Sequence, residues 1–134
     1  MNIYKKTVCA ITTYILAILM ALDPALAADF PTKEIKLIVP WNVGGSNDIS
    51  ARLISKILAD EGITVVVDNV AGATGTIGMT KVANAEPDGY TIGMGNFAPM
   101  AVNKTLFGNL RYDPETDLVP ILLIEKGPLV LVVN

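Results

Sequence analysis

Pro40-Trp41-Asn42-Val43-Gly44-Gly45-Ser46-Asn47-Asp48 stands between a short apolar run, Ile35 to Val39, and a run of helical period, Ile49 to Leu58. A strand, a Gly-rich turn and a helix in that order gather unpaired backbone N–H groups and the positive end of a helix dipole at one point, which suits an anion. Gly44 and Gly45 carry no Cβ, so the backbone there can take φ > 0 and approach a ligand closely, and Ser46 is placed to cap the helix through its hydroxyl. Asp48 falls in the first helical turn, where it suits the dipole and can brace the loop by accepting its N–H groups. Two readings stand side by side: a carboxylate or phosphate cradle, or an ordinary tight βα turn with a capped helix.

Outward from this stretch the chain alternates strand and helix signals. Ile35-Lys36-Leu37-Ile38-Val39 is short and rich in β-branched residues, a strand. In the helix that follows, Ile49, Leu53 and Ile57, with Ile54 and Leu58, fall on one side and are expected to pack on the sheet; Arg52, Ser55 and Lys56 fall opposite and are expected to be solvated, and Gly62 ends the helix. Thr64-Val65-Val66-Val67-Asp68 is a second strand, with a short helix reaching about Ala85. Pro87-Asp88-Gly89 is a turn, Tyr90 to Gly95 a third strand, and Asn96-Phe97-Ala98-Pro99 opens another helix. Leu118 to Ile124 reads as a fourth strand, broken from Leu129 to Val133 by Lys126-Gly127-Pro128.

This order predicts an α/β fold, a parallel sheet with flanking helices whose sites lie beyond the carboxyl ends of the strands. The loops Trp41 to Asp48, Asn69 to Thr76 and Asn96 to Ala98 are therefore expected to meet on one rim. Trp41 there either walls a pocket or covers the end of the sheet.

The amino terminus has the form of a secretory signal. Lys5 and Lys6 precede an almost wholly apolar run from Val8 to Leu22, and Ala25-Leu26-Ala27 supplies a cleavage site. Fifteen apolar residues fall short of the roughly 20 that span a bilayer, and no basic stop-transfer cluster follows. The expected organisation is thus a signal peptide at 1–27 and a mature chain at 28–134, exported to the periplasm.

Cys9 lies within the apolar core and not at the cleavage point, so no lipid anchor is expected. The mature chain has no cysteine and no histidine, which excludes a Cys/His zinc site, a Ser-His-Asp triad and a Cys-His pair. It carries 12 acidic against 8 basic residues without charge blocks, which argues against nucleic acid as a partner.

Other chemistries fit less well. Gly72-x-x-Gly75-x-x-Gly78 has the wrong spacing for a dinucleotide fingerprint, and no Gly-Lys-Ser/Thr appears for a phosphate loop. Asp88, Asp113 and Asp117 read as turn formers, so no pair of catalytic acids is evident. Asn103-Lys104-Thr105 matches a glycosylation acceptor only by accident of composition.

Taken together, Pro40-x-x-x-Gly44-Gly45-Ser46-x-Asp48-Ile49-x-Ala51-Arg52-Leu53, Val66-Val67-x-Asn69, Gly72-Ala73-x-Gly75-Thr76-Ile77-Gly78, Pro87-Asp88-Gly89-Tyr90-Thr91, Gly95-Asn96 and Tyr112-Asp113-Pro114 resemble the substrate-binding receptors of tripartite tricarboxylate transporters, the Bug-type receptors. The resemblance runs from about Phe30 to the last residue. It implies a periplasmic-binding-protein fold of type II, with residues 28–134 forming most of one lobe of two and the second lobe missing, through truncation or because the sequence is a fragment.

It further implies no enzyme activity and no cofactor, a small carboxylate (a di- or tricarboxylate or a similar organic acid) as ligand, and the permease subunits of a membrane transporter as partners. Other readings of the same pocket are a nucleotide- or carboxylate-using enzyme, a sensory subunit, or a truncated copy without function. By position, ligand binding carries over to Gly44, Gly45, Ser46, Asp48, Gly75, Thr76 and Asn96, with Trp41 and Phe97 lining the pocket. Trp41, Asn42 and Val43 stand where the family usually has a phenylalanine and two prolines, and Val70-Ala71 where it has Arg-Pro. Phe97 replaces a small hydroxyl residue and would shrink or dry one corner of the pocket.

Overall fold

Strand β1 (Ile35–Val39) lies at the centre of a three-stranded parallel sheet of order β2-β1-β3, with β2 (Val65–Asn69) on one side and β3 (Thr91–Gly93) on the other. Ile35 pairs with Val65 and Val39 with Asn69; across the other edge Lys36 pairs with Thr91 and Ile38 with Gly93. The computed structural model describes residues 30–127 and 130–133. Residues 33–134 form one unit; of the unit before it, residues 1–32, only 30–32 are described, so the expected signal peptide and Cys9 lie outside the described residues.

Parallel neighbours need crossovers, and helices supply both. Helix α1 (Ser46–Asp60) links β1 to β2, and α2 (Thr76–Ala83) links β2 to β3. Ile35, Leu37 and Val39 alternate onto one face of the central strand and form the core with Ala51, Val65 and Met94. On the opposite face Gly78 of α2 comes so close to Pro40 that a Cβ would lie 2.6 Å from the proline Cβ. Gly62 ends α1 as expected, at φ +81° with its N–H donating to Ala59 O. Asp88 forms the expected turn by accepting the N–H of Tyr90 at 2.9 Å.

Two expectations about packing are corrected. Ile49, Leu53 and Ile57 do not pack on the sheet; their exposures are 62%, 58% and 55%. The inward stripe is Asp48, Ala51, Ile54, Ser55 and Leu58. Its polar members are tolerated because they have partners: the Ser55 hydroxyl donates to Val65 O at 2.6 Å, and Asp48 is fully engaged as described below. Hydropathy period alone cannot see such pairing.

The second correction concerns Leu118 to Ile124 and the run at 129–133. No strand occurs among the described residues of 118–133, and Val119, Ile121, Leu122 and Val130 to Val133 are exposed. A β-prone run becomes a strand only where a neighbouring edge takes up its N–H and C=O groups. No described strand pairs with this segment, and Pro120 withdraws a donor from its middle.

After β3 the backbone forms a π-helical turn (Ala98–Val102) that runs into a single α-turn, α3 (Asn103–Leu106). Tyr112, buried, holds this piece from outside by donating its hydroxyl to Pro99 O at 2.7 Å, and burial pushes its phenol pKa up. Tyr112→Phe keeps the ring and removes the bond, leaving Pro99 O without that donor. The expected cost is about 1 kcal/mol of stability, measured by urea unfolding.

Candidate ligand-binding site

Because all three strands run parallel, the segments that follow their carboxyl ends lie on one side of the sheet: 40–48 after β1, 70–76 after β2 and 94–98 after β3. They meet at Gly75. A Cβ there would lie 3.2 Å from Cζ2 of Trp41 and 3.2 Å from Cγ of Pro99, so a glycine lets the indole of the first loop and the proline that follows the third close on the second without either giving way. Gly75 also takes φ +85°, in the left-handed region that favours glycine. Trp41 thus packs against the second loop.

The first loop is held by Asp48, which is 2% exposed. One carboxylate oxygen accepts the N–H of Gly44 at 2.9 Å and Nε of Arg52 at 3.0 Å; the other accepts Nδ2 of Asn69 at 3.0 Å. Asn69 in turn donates to Trp41 O at 3.1 Å and accepts from the Arg52 guanidinium at 3.3 Å. Three pieces of chain, the first loop, α1 and the end of β2, are tied through one carboxylate, and Asn69 carries the tie on to the carbonyl of Trp41. The Arg52 hydrogen bond, then the Gly44 N–H, and more weakly Asn69, outweigh burial and hold the Asp48 pKa down at about 2.

The bracing role expected of Asp48 is what the geometry has, with a consequence for Gly44, whose N–H is already taken. Ser46 does not cap α1. Gly45 occupies the cap position, at φ −76° and ψ 169°, and the exposed Ser46 hydroxyl reaches only Asn47 Oδ1 at 3.5 Å. A serine one residue inside the helix has its hydroxyl beyond the first-turn N–H groups it was expected to satisfy. Those groups, from Ser46 to Asp48, have no intrahelical acceptor and point out of the start of α1. Arg52 is not simply solvated either; the i,i+4 spacing to Asp48 was the signal for its pairing.

In the second loop Gly72, Ala73, Thr74 and Gly75 all have positive φ, at 132°, 45°, 53° and 85°. Gly75 N–H donates to Gly72 O and Thr76 N–H to Ala73 O, so this loop presents the half-buried Thr76 side chain. In the third loop Asn96 Oδ1 accepts the N–H of Ala98 at 3.1 Å, an Asx cap for the turn beyond it. Phe97 is 73% exposed.

Asn69, Arg52 and Asn103 join the site through partners that the sequence order does not show, Arg52 apart, whose i,i+4 spacing to Asp48 is visible in it. Asn103, inside the accidental glycosylation triplet, is fully buried. A shallow hollow of about 420 Å³ lies apart from the loops, lined by Phe107, Gly108 and Leu110. Its Lys104 is already paired with Asp113 at 2.9 Å and Glu115 at 3.2 Å, so it offers an anion little. Among the described residues no cluster of Asp and Glu is arranged to hold a metal ion.

Residues 49–134 match the family model described as "Tripartite tricarboxylate transporter family receptor". The chain belongs to this family. Protein BugT of Bordetella pertussis is 42% identical over 83% of this chain and 35% of its own length. A solved R. palustris protein with adipate is 38% identical, with a TM-score of 0.63 over 66% of this chain and 30% of its own. MatC from Rhodopseudomonas palustris with bound malate is 37% identical, with a TM-score of 0.62 over the same shares. The periplasmic binding protein BugD is 39% identical, with a TM-score of 0.61. The fold is that of periplasmic binding proteins, and the chain spans about a third of the length of the relatives it matches.

Proposed function

We propose that this chain contributes to an extracytoplasmic receptor that binds a small carboxylate and delivers it to a tripartite tricarboxylate-type membrane transporter. The observation that carries the reading is the first loop. Asp48 fixes its shape from behind, so that the free N–H groups at the start of α1 face outward on the rim shared with Thr76 and Asn96. Oriented backbone donors at a helix start, with hydroxyl and amide groups nearby, suit a carboxylate without any reaction. The adipate and malate held by two similar solved proteins support this ligand class.

In this reading Gly45, Ser46, Thr76 and Asn96 touch the ligand, Trp41 and Phe97 line its pocket, and Gly44, Asp48 and Gly75 set the geometry. Residues 1–27 act as an export signal to the periplasm; no helix among the described residues is long and apolar enough to cross a membrane. Thermal unfolding with a panel of mono-, di- and tricarboxylates, NAD and ATP tests it. A carboxylate at about 100 times its dissociation constant is expected to add about 2.7 kcal/mol to stability. A rise with NAD or ATP alone would favour an enzyme and overturn the receptor.

A further inference from the structure

Asn103 sits at the start of α3 with 0% exposure, in a position where an apolar side chain would be the ordinary occupant. Both hydrogens of its amide are used: Nδ2 donates to Thr74 O at 3.0 Å and to Thr76 Oγ1 at 3.0 Å. Its Oδ1 is buried with no donor among the described residues. A buried acceptor without a donor is costly and calls for a reason. The reason is not the orientation of the amide, since the carbonyl of Thr74 demands a donor and fixes the nitrogen where it is.

The consequence falls on Thr76. A hydroxyl has one hydrogen and two lone pairs, and Asn103 occupies one lone pair, so the Thr76 hydrogen must turn elsewhere. No described residue accepts it. The same asparagine grips the carbonyl of Thr74, whose φ of 53° lies in the left-handed region that non-glycine residues seldom take. One side chain therefore fixes both the backbone of the second loop and the polarity of its outward hydroxyl.

We propose that Asn103 is a positioning residue that commits the Thr76 hydroxyl to donating, and so biases this part of the rim toward a ligand group that accepts, such as a carboxylate oxygen, over one that donates. The proposal rests on the carboxylate reading above. It adds a residue that touches no ligand, reached through the loop's own hydrogen bonds.

The sharpest variant is Asn103→Asp. It is nearly isosteric, yet it cannot serve both Thr74 O and Thr76 Oγ1: ionised it only accepts, and protonated it has one hydrogen, which the carbonyl of Thr74 claims, so in either form the Thr76 hydrogen can turn inward to it and be lost to the ligand. Succinate, adipate and malate are the probes, titrated calorimetrically into the full chain. N103D and T76V are each expected to weaken binding about tenfold, the worth of one hydrogen bond to a charged group, while T76S keeps the affinity. The double variant N103D/T76V is expected to bind no worse than N103D alone, because both substitutions remove the same hydroxyl donor, whatever N103D costs through the carbonyl of Thr74. Losses that multiply would overturn the proposal, since Asn103 would then act by another route. So would N103D binding at the wild-type affinity.

Side-chain amide exchange read by NMR gives an answer independent of ligand. Both Asn103 amide hydrogens are expected to be protected in the wild type, and one of them to lose protection in T76V. A wild type with an unprotected amide overturns the proposed contact. A wild type that binds no carboxylate while the amide stays protected overturns the receptor reading and, with it, the role given to the contact.

Discussion

Asp48→Asn, which preserves size and shape, is expected to release the first loop almost as fully as Asp48→Ala. All the partners of this carboxylate are donors: the N–H of Gly44, Nε of Arg52 and Nδ2 of Asn69. An amide placed there must turn its own NH2 toward at least one of them, and neither orientation avoids a donor facing a donor. Asn69 then loses the partner that aligns it with Trp41 O, and the loop loses its tie to β2. Carboxylate affinity is expected to fall by more than about tenfold, as the loss of a charge-assisted hydrogen bond entails. Calorimetric titration of the two variants checks this, and an asparagine variant binding like the wild type would refute the account.

The same group makes stability depend on pH in a defined direction. The Asp48 pKa is about 2 in the fold against an ordinary value of 3.8, so the unfolded chain takes up the proton first as pH falls. The stability contributed by the ionised carboxylate is complete above pH about 4 and is lost as the pH drops through about 2. Asp88 and Asp113 are also held below the usual range, by backbone N–H groups first and by lysines second, and they titrate in the same direction. The difference between wild type and D48N isolates Asp48. Melting temperatures from pH 6 to pH 2.5 are expected to converge on acidification; a constant difference over that range would show that Asp48 makes no such contribution.

The second large effect is expected at Gly78, inside α2. A Cβ there would lie 2.6 Å from Pro40 Cβ, 2.8 Å from Val70 O and 2.9 Å from Pro40 Cα, contacts with ring and backbone that no rotamer change can relieve. Alanine gains about 1 kcal/mol over glycine in a helix interior, but overpacking of this kind costs about 1–3 kcal/mol. Gly78→Ala is therefore expected to be destabilising by up to about 2 kcal/mol despite its better helix propensity, and Gly78→Leu by more, because α2 must lift from the end of β1. Gly45→Ala is the contrasting control. At φ −76°, with only Asn42 O near its Cβ site at 3.6 Å, it is expected to leave the urea midpoint unchanged.

Much of this architecture is legible from local signals. Short β-branched runs mark β1 and β2, Gly62 marks the end of α1, and the Asp88-Gly89 turn precedes β3, since each depends on a few neighbouring residues. What escapes is decided across the sequence. Which stripe of α1 faces inward depends on whether Ser55 and Asp48 find partners on β2, at Val65 and Asn69. The role of Asn103 depends on a loop 27 to 29 positions earlier. Leu118 to Ile124 shows the converse: its β-prone composition is real, but a strand is a relation between two segments, and the second is not among those described. Within the site, Asp48 was readable because its main partners, Gly44 and Arg52, lie within a turn of it; Asn69 and Asn103 had no local sign.

The central place of β1 also bears on how the domain assembles in time. The strand emerges first in the chain, yet its ladder partners stand thirty residues later on one side and fifty-five on the other. Neither pairing forms without first closing a long loop, and the second requires the longer closure. Until then the most apolar strand of the sheet has both edges open, a template for any other extended chain it meets. The element that organises the finished molecule is thus the one left unsatisfied longest while it folds.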